Sequence, residues 1–213
     1  MFPHEITAIT SNLPYTADNI GRSDDTVYIF EKSYVLKVSK DGKMLTRERE
    51  RFDFLSDNGI PGPRSICFAK EGNKYYYLRT YLDGKSLISP RFIENPELLI
   101  KALANTVSVL RSLDGIPCPF LSSDNEGCDF IHGDLCLPNI YANPDGSFAG
   151  FIDLGNAGLG DSRYDYAWML WSLEYNLGTD KYNKPLLDRI GIRFDKEKIE
   201  KYIPEEYRGM RIK

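Results

Sequence analysis

Histidine is scarce in this chain of 213 residues, which contains only His4 and His132. This scarcity nearly excludes a zinc site built from histidines, and it leaves little room for a Ser-His-Asp mechanism. The four cysteines show neither CxxC spacing nor the density of a disulfide-rich domain. We therefore expect reduced thiols and a cytoplasmic protein.

An excess of positive charge is also missing. The net charge is −4, and Lys and Arg are scattered rather than clustered, which argues against binding to nucleic acid. No apolar stretch approaches the length that crosses a membrane, and the first residues lack the basic and apolar segments of a signal peptide. With 42% hydrophobic residues, the chain can bury one sizeable core or two small ones. We expect neither a nucleic-acid nor a membrane partner.

The most informative stretch runs from Phe130 to Asp165. It contains His132-Gly-Asp134, then Asn139 five residues later, and then Asp153-Leu-Gly155. Phosphoryl transfer needs a carboxylate that accepts the proton of the attacking hydroxyl and oxygen ligands that hold Mg²⁺ on the phosphates. The order H-x-D-x-x-x-x-N followed by D-x-G is typical of the catalytic and metal-binding loops of the protein-kinase-like fold. It predicts Asp134 as the base and Asn139 and Asp153 as metal ligands.

The residues between these positions predict a β-hairpin. Two short strands, 139–142 and 147–152, flank the turn sequence Asn143-Pro-Asp-Gly146. Such a hairpin would bring Asp153 back beside Asn139, so that two hard oxygen ligands face one small site, as Mg²⁺ prefers. A loop aspartate that only caps a turn is the alternative for Asp134 considered alone.

At these residues the chain resembles the aminoglycoside phosphotransferases, the kanamycin and neomycin kinases. The segments HGDLCLPNI and SFAGFIDLGNAGLGD are similar to the two signature segments of that family, and a weaker similarity extends from about Gly21 to Glu206. The resemblance implies an α+β, protein-kinase-like fold with two lobes: an N-terminal lobe with an antiparallel sheet (residues 1–82) and a helical C-terminal lobe (residues 83–213). It also implies ATP, or GTP as the alternative, and Mg²⁺ as cofactors.

The N-terminal part shows a predicted hairpin of residues 26–30 and 34–38, with further strands at 60–68 and 75–81. Lys37 lies within the second strand, at the position where kinases place the lysine that contacts the α- and β-phosphates. An edge-strand lysine that discourages aggregation is the alternative. A helix predicted at residues 46–56 should supply its glutamate partner, and the match to the antibiotic kinases favours Glu50 over Glu48.

The remaining nucleotide contacts are predicted from position. By resemblance Ser23, in the loop before the first strand, could reach the β-phosphate, although Asp24 and Asp25 are unfavourable near an anion. A turn without a ligand role is equally compatible with that loop. Backbone groups around Thr80 to Leu82 should pair with the adenine edge.

From Pro90 onward the pattern is helical. Helices are predicted from an Asn95 cap to about Leu113, from Ser162 to Leu177, over 181–190 and over 196–202. Asp165 opens the second of these helices. We expect its carboxylate to accept backbone N–H groups from the catalytic loop; compensation of the helix N-terminal charge is the alternative.

Two spacings restrict the acceptor. Only about a dozen residues separate Asp153 from Asp165, too few for the activation loop of a protein kinase, and Gly133 replaces the arginine that usually binds an activating phosphate. A small hydroxylated molecule is therefore the expected substrate. Between Leu113 and Ile131 the chain lacks the helices that the antibiotic kinases insert there, so we expect no helical lid.

A cationic aminoglycoside would need carboxylates to bind it. Asp161 and Glu206 loosely match acidic positions of the family. Further candidates are Asp124, Glu126, Asp129 and Glu205. We therefore predict a small-molecule kinase with an aminoglycoside as the leading acceptor. The alternatives are a kinase of another small alcohol, such as an amino alcohol, sugar or nucleoside, and a nucleotide-binding module of low activity.

Overall fold

The computed structural model describes residues 2–11, 13–18, 25–122, 127–193 and 201–208. It divides into two compact units, Met1–Asp83 and Gly84–Lys213. The first unit contains an antiparallel sheet and two helices, and the second is mostly helical, as the sequence predicted. In the described residues, no helix combines the length and the apolar character that a membrane span requires.

The first unit is built on five strands in the order β1-β2-β3-β5-β4. Their bounds are Tyr15–Asp18 (β1), Thr26–Phe30 (β2), Tyr34–Ser39 (β3), Ser65–Glu71 (β4) and Lys74–Thr80 (β5). The two helices are His4–Thr10 (α1) and Gly42–Asp57 (α2). The fourth strand begins later than predicted, because Pro61 and Pro63 have no N–H group to donate to a sheet.

The sheet separates an apolar face from the face that carries Lys37. Leu36 and Val38 belong to a buried cluster that also contains Ile6 of α1. Because neighbouring side chains of a strand point to opposite faces, Lys37 is directed away from that cluster. Helix α2 begins four residues earlier than predicted, since the Asp41 carboxylate caps it by accepting the Met44 N–H at 2.9 Å.

In its described residues the second unit contains two small sheets and four α-helices. The strands are Lys85–Ser86 (β6), Asp129–Ile131 (β7), Ile140–Ala142 (β8), Phe148–Phe151 (β9) and Gly158–Gly160 (β10). The helices are Pro90–Ile93 (α3), Pro96–Arg111 (α4), Ser162–Leu177 (α5) and Asn183–Ile190 (α6). Strands β6, β8 and β9 form one sheet, and β7 pairs with β10. The helix predicted over 196–202 lies mainly outside the described residues.

The segment between α4 and β7 forms turns over residues 112–116 and then runs beside β10 where the structure describes it. Residues 113–122 and 127–131 contain no α-helix. Instead, the Leu159 N–H donates to the Phe120 carbonyl at 2.9 Å, and the Ser122 N–H donates to the Leu159 carbonyl at 3.0 Å. The segment thus lines the edge of β10. The described part agrees with the expected lack of a helical lid.

Candidate active site

The predicted hairpin is present and places two candidate metal ligands at one end. Ile140 of β8 pairs with Phe151 of β9, and the Ile152 N–H donates to the Asn139 carbonyl at 3.0 Å. Asp153 follows directly. Sequence spacing alone therefore predicted correctly that Asn139 and Asp153 would be neighbours.

The side chain of Asn139 fixes the candidate base. Its Nδ2 donates to the Asp134 carbonyl at 3.0 Å and to Asp134 Oδ2 at 2.9 Å. Because the amide nitrogen is engaged by Asp134, the Oδ1 atom of Asn139 is directed elsewhere and can act as an acceptor. Asp153 is exposed and adopts a left-handed backbone conformation, with φ 57° and ψ 51°. Strain of this kind in a residue other than glycine is common at functional sites.

Asp165 anchors the start of the catalytic loop. Its Oδ2 accepts the His132 N–H at 2.7 Å, and its Oδ1 accepts the Gly133 N–H at 2.9 Å. This confirms the predicted contact to the loop. Burial raises the pKa of Asp165 to about 7, against the two N–H groups that stabilise the carboxylate. The form that accepts both hydrogen bonds therefore predominates above pH 7.

A second anchor, Ser172, holds the far end of the loop and was missed by the sequence reasoning. Its Oγ accepts the Leu137 N–H at 3.0 Å. Ser172 lies seven residues after Asp165 on α5, so both side chains occupy one face of that helix. This spacing is the signal that could have identified Ser172.

His132 links the catalytic loop to the metal-binding loop. The side chain is fully buried, its Nε2 lies 3.0 Å from the Ile152 carbonyl, and its ring packs edge-on against Phe151. Burial lowers the pKa of His132, so the ring is neutral and Nε2 carries the proton that the carbonyl accepts. The histidine of the motif therefore has a structural task next to Asp153.

The tip of the hairpin is fixed by side chains from α3 and α4. Arg91 donates to the Pro144 carbonyl, Lys101 to the Asp145 carbonyl at 2.7 Å, and Asn105 to the Gly146 carbonyl at 2.8 Å. These three side chains hold the turn, which lies at the opposite end of the hairpin from Asn139 and Asp153.

Gly133 is required by a close approach of the two loops. Its φ is +78°, and an added Cβ would lie 2.5 Å from the Asn156 carbonyl oxygen. A side chain therefore cannot be accommodated without moving backbone. This explains in physical terms why the arginine found here in protein kinases is absent.

The predicted pairing of Lys37 with Glu50 is wrong. Lys37 Nζ lies 2.8 Å from Glu48 Oε2, and the Glu48 side chain is only 1% exposed. Glu50 is 43% exposed and lies 3.7 Å from Arg51. Glu48 shares the buried stripe of α2 with Leu45, Phe52 and Leu55, whereas Glu50, two residues further, points about 200° away around the helix. The stripe spacing is a better guide than the match to the family.

Among the residues predicted to pair with adenine, Thr80 to Leu82, two backbone N–H groups are already hydrogen-bonded within the first unit. The Thr80 N–H donates to the Arg64 carbonyl and the Tyr81 N–H to the Ser33 carbonyl, each at 2.9 Å. The Thr80 N–H therefore cannot also pair with the adenine edge, although the Thr80 carbonyl can. In the described part of the chain no acceptor is found for the Leu82 N–H, so Leu82 remains the predicted donor. Ser23 lies outside the described residues.

Of the two predicted acceptor-binding acids, Asp161 is already engaged. It caps α5 by accepting the Arg163 N–H at 2.9 Å, and its carboxylate also binds the Arg163 guanidinium and the Tyr202 hydroxyl. Burial opposes ionisation, but these hydrogen bonds outweigh it and lower the pKa of Asp161 to about 2. Its carboxylate therefore holds the helix start rather than offering an open cation site.

Glu206 has different surroundings. It is exposed in the 3₁₀ turn Glu205–Tyr207. The Tyr207 ring packs against Trp168 and Trp171 of α5, and Trp171 Nε1 donates to the Tyr207 carbonyl at 2.7 Å. The turn that carries Glu206 therefore packs against α5, the helix that anchors the loop containing Asp134. Asp124 and Glu126 lie outside the described residues.

Comparison with known proteins identifies the family. The model of the phosphotransferase enzyme family matches residues 15–127 and 129–211. The chain therefore belongs to the phosphotransferase enzyme family, and it is an enzyme of that class, as the catalytic-loop motif predicted.

Curated relatives carry the name aminoglycoside 3'-phosphotransferase. The protein from Niallia circulans is 26% identical over 252 aligned positions, which cover 95% of this chain and 95% of that protein. The protein from Enterococcus faecalis is 28% identical over 203 positions, covering 73% and 76%. The first alignment is longer than the 213 residues of this chain, so that relative contains stretches that are missing here.

The solved structures confirm the protein-kinase-like fold. The aminoglycoside phosphotransferase APH(3'')-Id from Streptomyces rimosus superimposes with a TM-score of 0.78 at 20% identity, over 93% of each chain. The same protein in complex with ADP and streptomycin gives a TM-score of 0.76 at 21% identity. At this identity the likeness establishes the fold.

The close approach at Gly133 leads to a first prediction. Gly133→Ala should lower the stability of the second unit by about 3 kcal/mol or more and abolish turnover, since both the positive φ and the contact with Asn156 are unfavourable. Gly115→Ala is the matched control: φ is +80° there, but the space around the Cβ is open. It should cost only about 1 kcal/mol. Urea unfolding of both variants measures the difference. Equal losses would show that the loops are not in close contact.

The Lys37–Glu48 pair leads to a second prediction. Glu48→Ala should destabilise the protein by about 3 kcal/mol, because it removes the close partner of a largely buried ammonium group. Glu50→Ala, which makes the same helical substitution at an exposed site, should change stability by no more than about 0.5 kcal/mol. Chemical denaturation of the two variants side by side tests the assignment. A larger loss for Glu50→Ala would restore the pairing favoured by sequence.

Proposed function

We propose that this enzyme transfers the γ-phosphoryl group of ATP to a hydroxyl of a small molecule, most favourably an aminoglycoside. The observation that carries the proposal is the fixed carboxylate of Asp134, which Asn139 holds through Oδ2 at 2.9 Å on a loop that α5 anchors at both ends. A carboxylate fixed in this way can accept the proton of an attacking hydroxyl.

The chemistry of the donor set fits Mg²⁺. Asn139 contributes an amide oxygen and Asp153 an exposed carboxylate, and both are hard oxygen ligands. No group of three or more His, Cys, Asp or Glu side chains forms a metal site in the described residues. Mg²⁺ is commonly bound by one or two protein oxygens together with substrate phosphates. When bound, the ion would neutralise charge on the phosphates. Asn139 and Asp153 would hold it.

The nucleotide is assigned to the first unit. Lys37, held by Glu48, would contact the α- and β-phosphates, and the Leu82 N–H would donate to the adenine edge. Ser23 would contact the β-phosphate, as the family resemblance implies. Support comes from family membership and from the ADP bound by the Streptomyces rimosus enzyme. A backbone N–H that donates to the edge of the purine is compatible with ATP as the nucleotide, with GTP as the alternative.

The acceptor is proposed from the names of the relatives and from charge. The curated relatives are aminoglycoside 3'-phosphotransferases, and the Streptomyces rimosus enzyme was solved with streptomycin. In this chain Glu205 and Glu206 are exposed, and the neighbouring Tyr207 packs against Trp168 of α5. Exposed acids favour a cationic acceptor. The missing helical insertion removes contacts that would position the acceptor, so selectivity should be loose.

Turnover with a panel of acceptors tests this function. ATP consumption with kanamycin, neomycin, streptomycin and neutral or amino alcohols, with products identified by LC–MS, should show phosphorylation of an aminoglycoside. Its kcat/KM should fall as ionic strength rises, because salt screens the attraction between the acids and a cation. Efficient, salt-insensitive phosphorylation of a neutral alcohol would contradict the aminoglycoside assignment and favour the kinase of another small alcohol.

The control for this experiment is Asp134→Ala. It should lower kcat by about 10²- to 10⁴-fold, the usual contribution of a general base, while calorimetry shows nearly unchanged binding of Mg·ADP. Near-normal turnover in this variant would exclude Asp134 as the base.

A further inference from the structure

The ammonium group of Lys37 is flanked by two carboxylates rather than one. Glu48 Oε2 lies at 2.8 Å and Asp25 Oδ2 at 3.7 Å. The side chains of Lys37 and Asp25 are only 13% and 19% exposed. When all three are ionised, Lys37, Glu48 and Asp25 together carry one excess negative charge, at the position where the proposed function places the phosphates.

Asp25 is not needed to neutralise Lys37. The pair with Glu48 is within hydrogen-bond distance and buried, so it already satisfies the ammonium charge. The contact with Asp25 is too long for a hydrogen bond and acts through charge alone. A half-buried carboxylate in that position loses hydration and gains little from a cation that is already paired.

A phosphate bound to Lys37 would lie close enough to the Asp25 carboxylate to be repelled by it. A phosphate oxygen that accepts a hydrogen bond from Lys37 Nζ would lie at about 2.8 Å from it. Since Asp25 Oδ2 is 3.7 Å from the same nitrogen, the two oxygens cannot be separated by more than about 6.5 Å. This is shorter than the screening length at physiological salt, about 8 Å, so repulsion between the anions persists there.

We propose that Asp25 selects the charge state of the bound nucleotide: it disfavours metal-free nucleotide and thereby makes binding depend on Mg²⁺. The proposal depends on the role of Lys37 in the proposed function. A nucleotide whose phosphates are partly neutralised by Mg²⁺ is repelled less than the free polyanion.

The test compares Asp25→Asn with Asp57→Asn. The first substitution removes the charge and keeps the shape of the side chain. The second removes the same charge from an exposed aspartate at the end of α2, in the same unit but outside the cluster. Isothermal titration calorimetry with ADP is carried out in EDTA and in Mg²⁺, at low ionic strength and at high salt.

We expect Asp25→Asn to bind metal-free ADP at least about fivefold more tightly than the wild type. The gain for Mg·ADP should be no more than about twofold, and the preference for the Mg²⁺ complex should shrink accordingly. High salt should reduce the gain, and Asp57→Asn should match the wild type throughout. Unchanged binding of metal-free ADP, or weaker binding of Mg·ADP, in Asp25→Asn would overturn the proposal.

Failure of the two proposals can be told apart. If Lys37→Ala leaves ADP affinity at the wild-type value, the proposed role of Lys37 is wrong and the role of Asp25 falls with it. If Lys37→Ala weakens ADP binding while Asp25→Asn has no effect, only the inference about Asp25 is overturned.

Discussion

The carboxylate of Asp165 is the interaction on which the geometry of the site depends. It is buried and accepts the N–H groups of His132 and Gly133, the two residues that precede Asp134. Ser172, on the same face of α5, accepts the Leu137 N–H. The loop between these anchors carries the candidate base, and Asn139 then fixes that base through its side-chain amide. Helix α5 thus acts as the rigid support on which a functional site can be positioned accurately.

This support also explains how a short chain can hold the candidate base and the candidate metal ligands in one place. The hairpin that ends in Asp153 is tied to the catalytic loop by His132 and held at its tip by α3 and α4. None of these contacts requires the segment between α4 and β7, which is shortened here. The segment instead follows the edge of β10. Under the proposed function, a change in that segment should therefore affect the choice of acceptor more than the transfer of the phosphoryl group.

Local spacing predicted much of the geometry of the candidate site in the second unit. The catalytic-loop motif, the turn at 143–146 and the position of Asp165 were sufficient for the hairpin, the neighbourhood of Asn139 and Asp153, and the anchoring of the loop. The errors lie where partners are distant in sequence or where two residues compete. Glu50 was favoured over Glu48 because the match to the family outweighed the buried stripe of α2. No local pattern reveals that Arg163 and Tyr202 satisfy the carboxylate of Asp161, a loosely matching acidic position.

The most direct test of the central role of Asp165 is hydrogen exchange at the two amides that it binds. In Asp165→Asn, one acceptor oxygen is replaced by an NH₂ group facing a backbone donor, and an unsatisfied buried donor costs about 1–3 kcal/mol. The His132 and Gly133 amides should then exchange at least about tenfold faster than in the wild type, and kcat should fall by a similar factor, while amides of the first unit exchange at unchanged rates. Wild-type protection of both amides together with wild-type turnover would contradict this account.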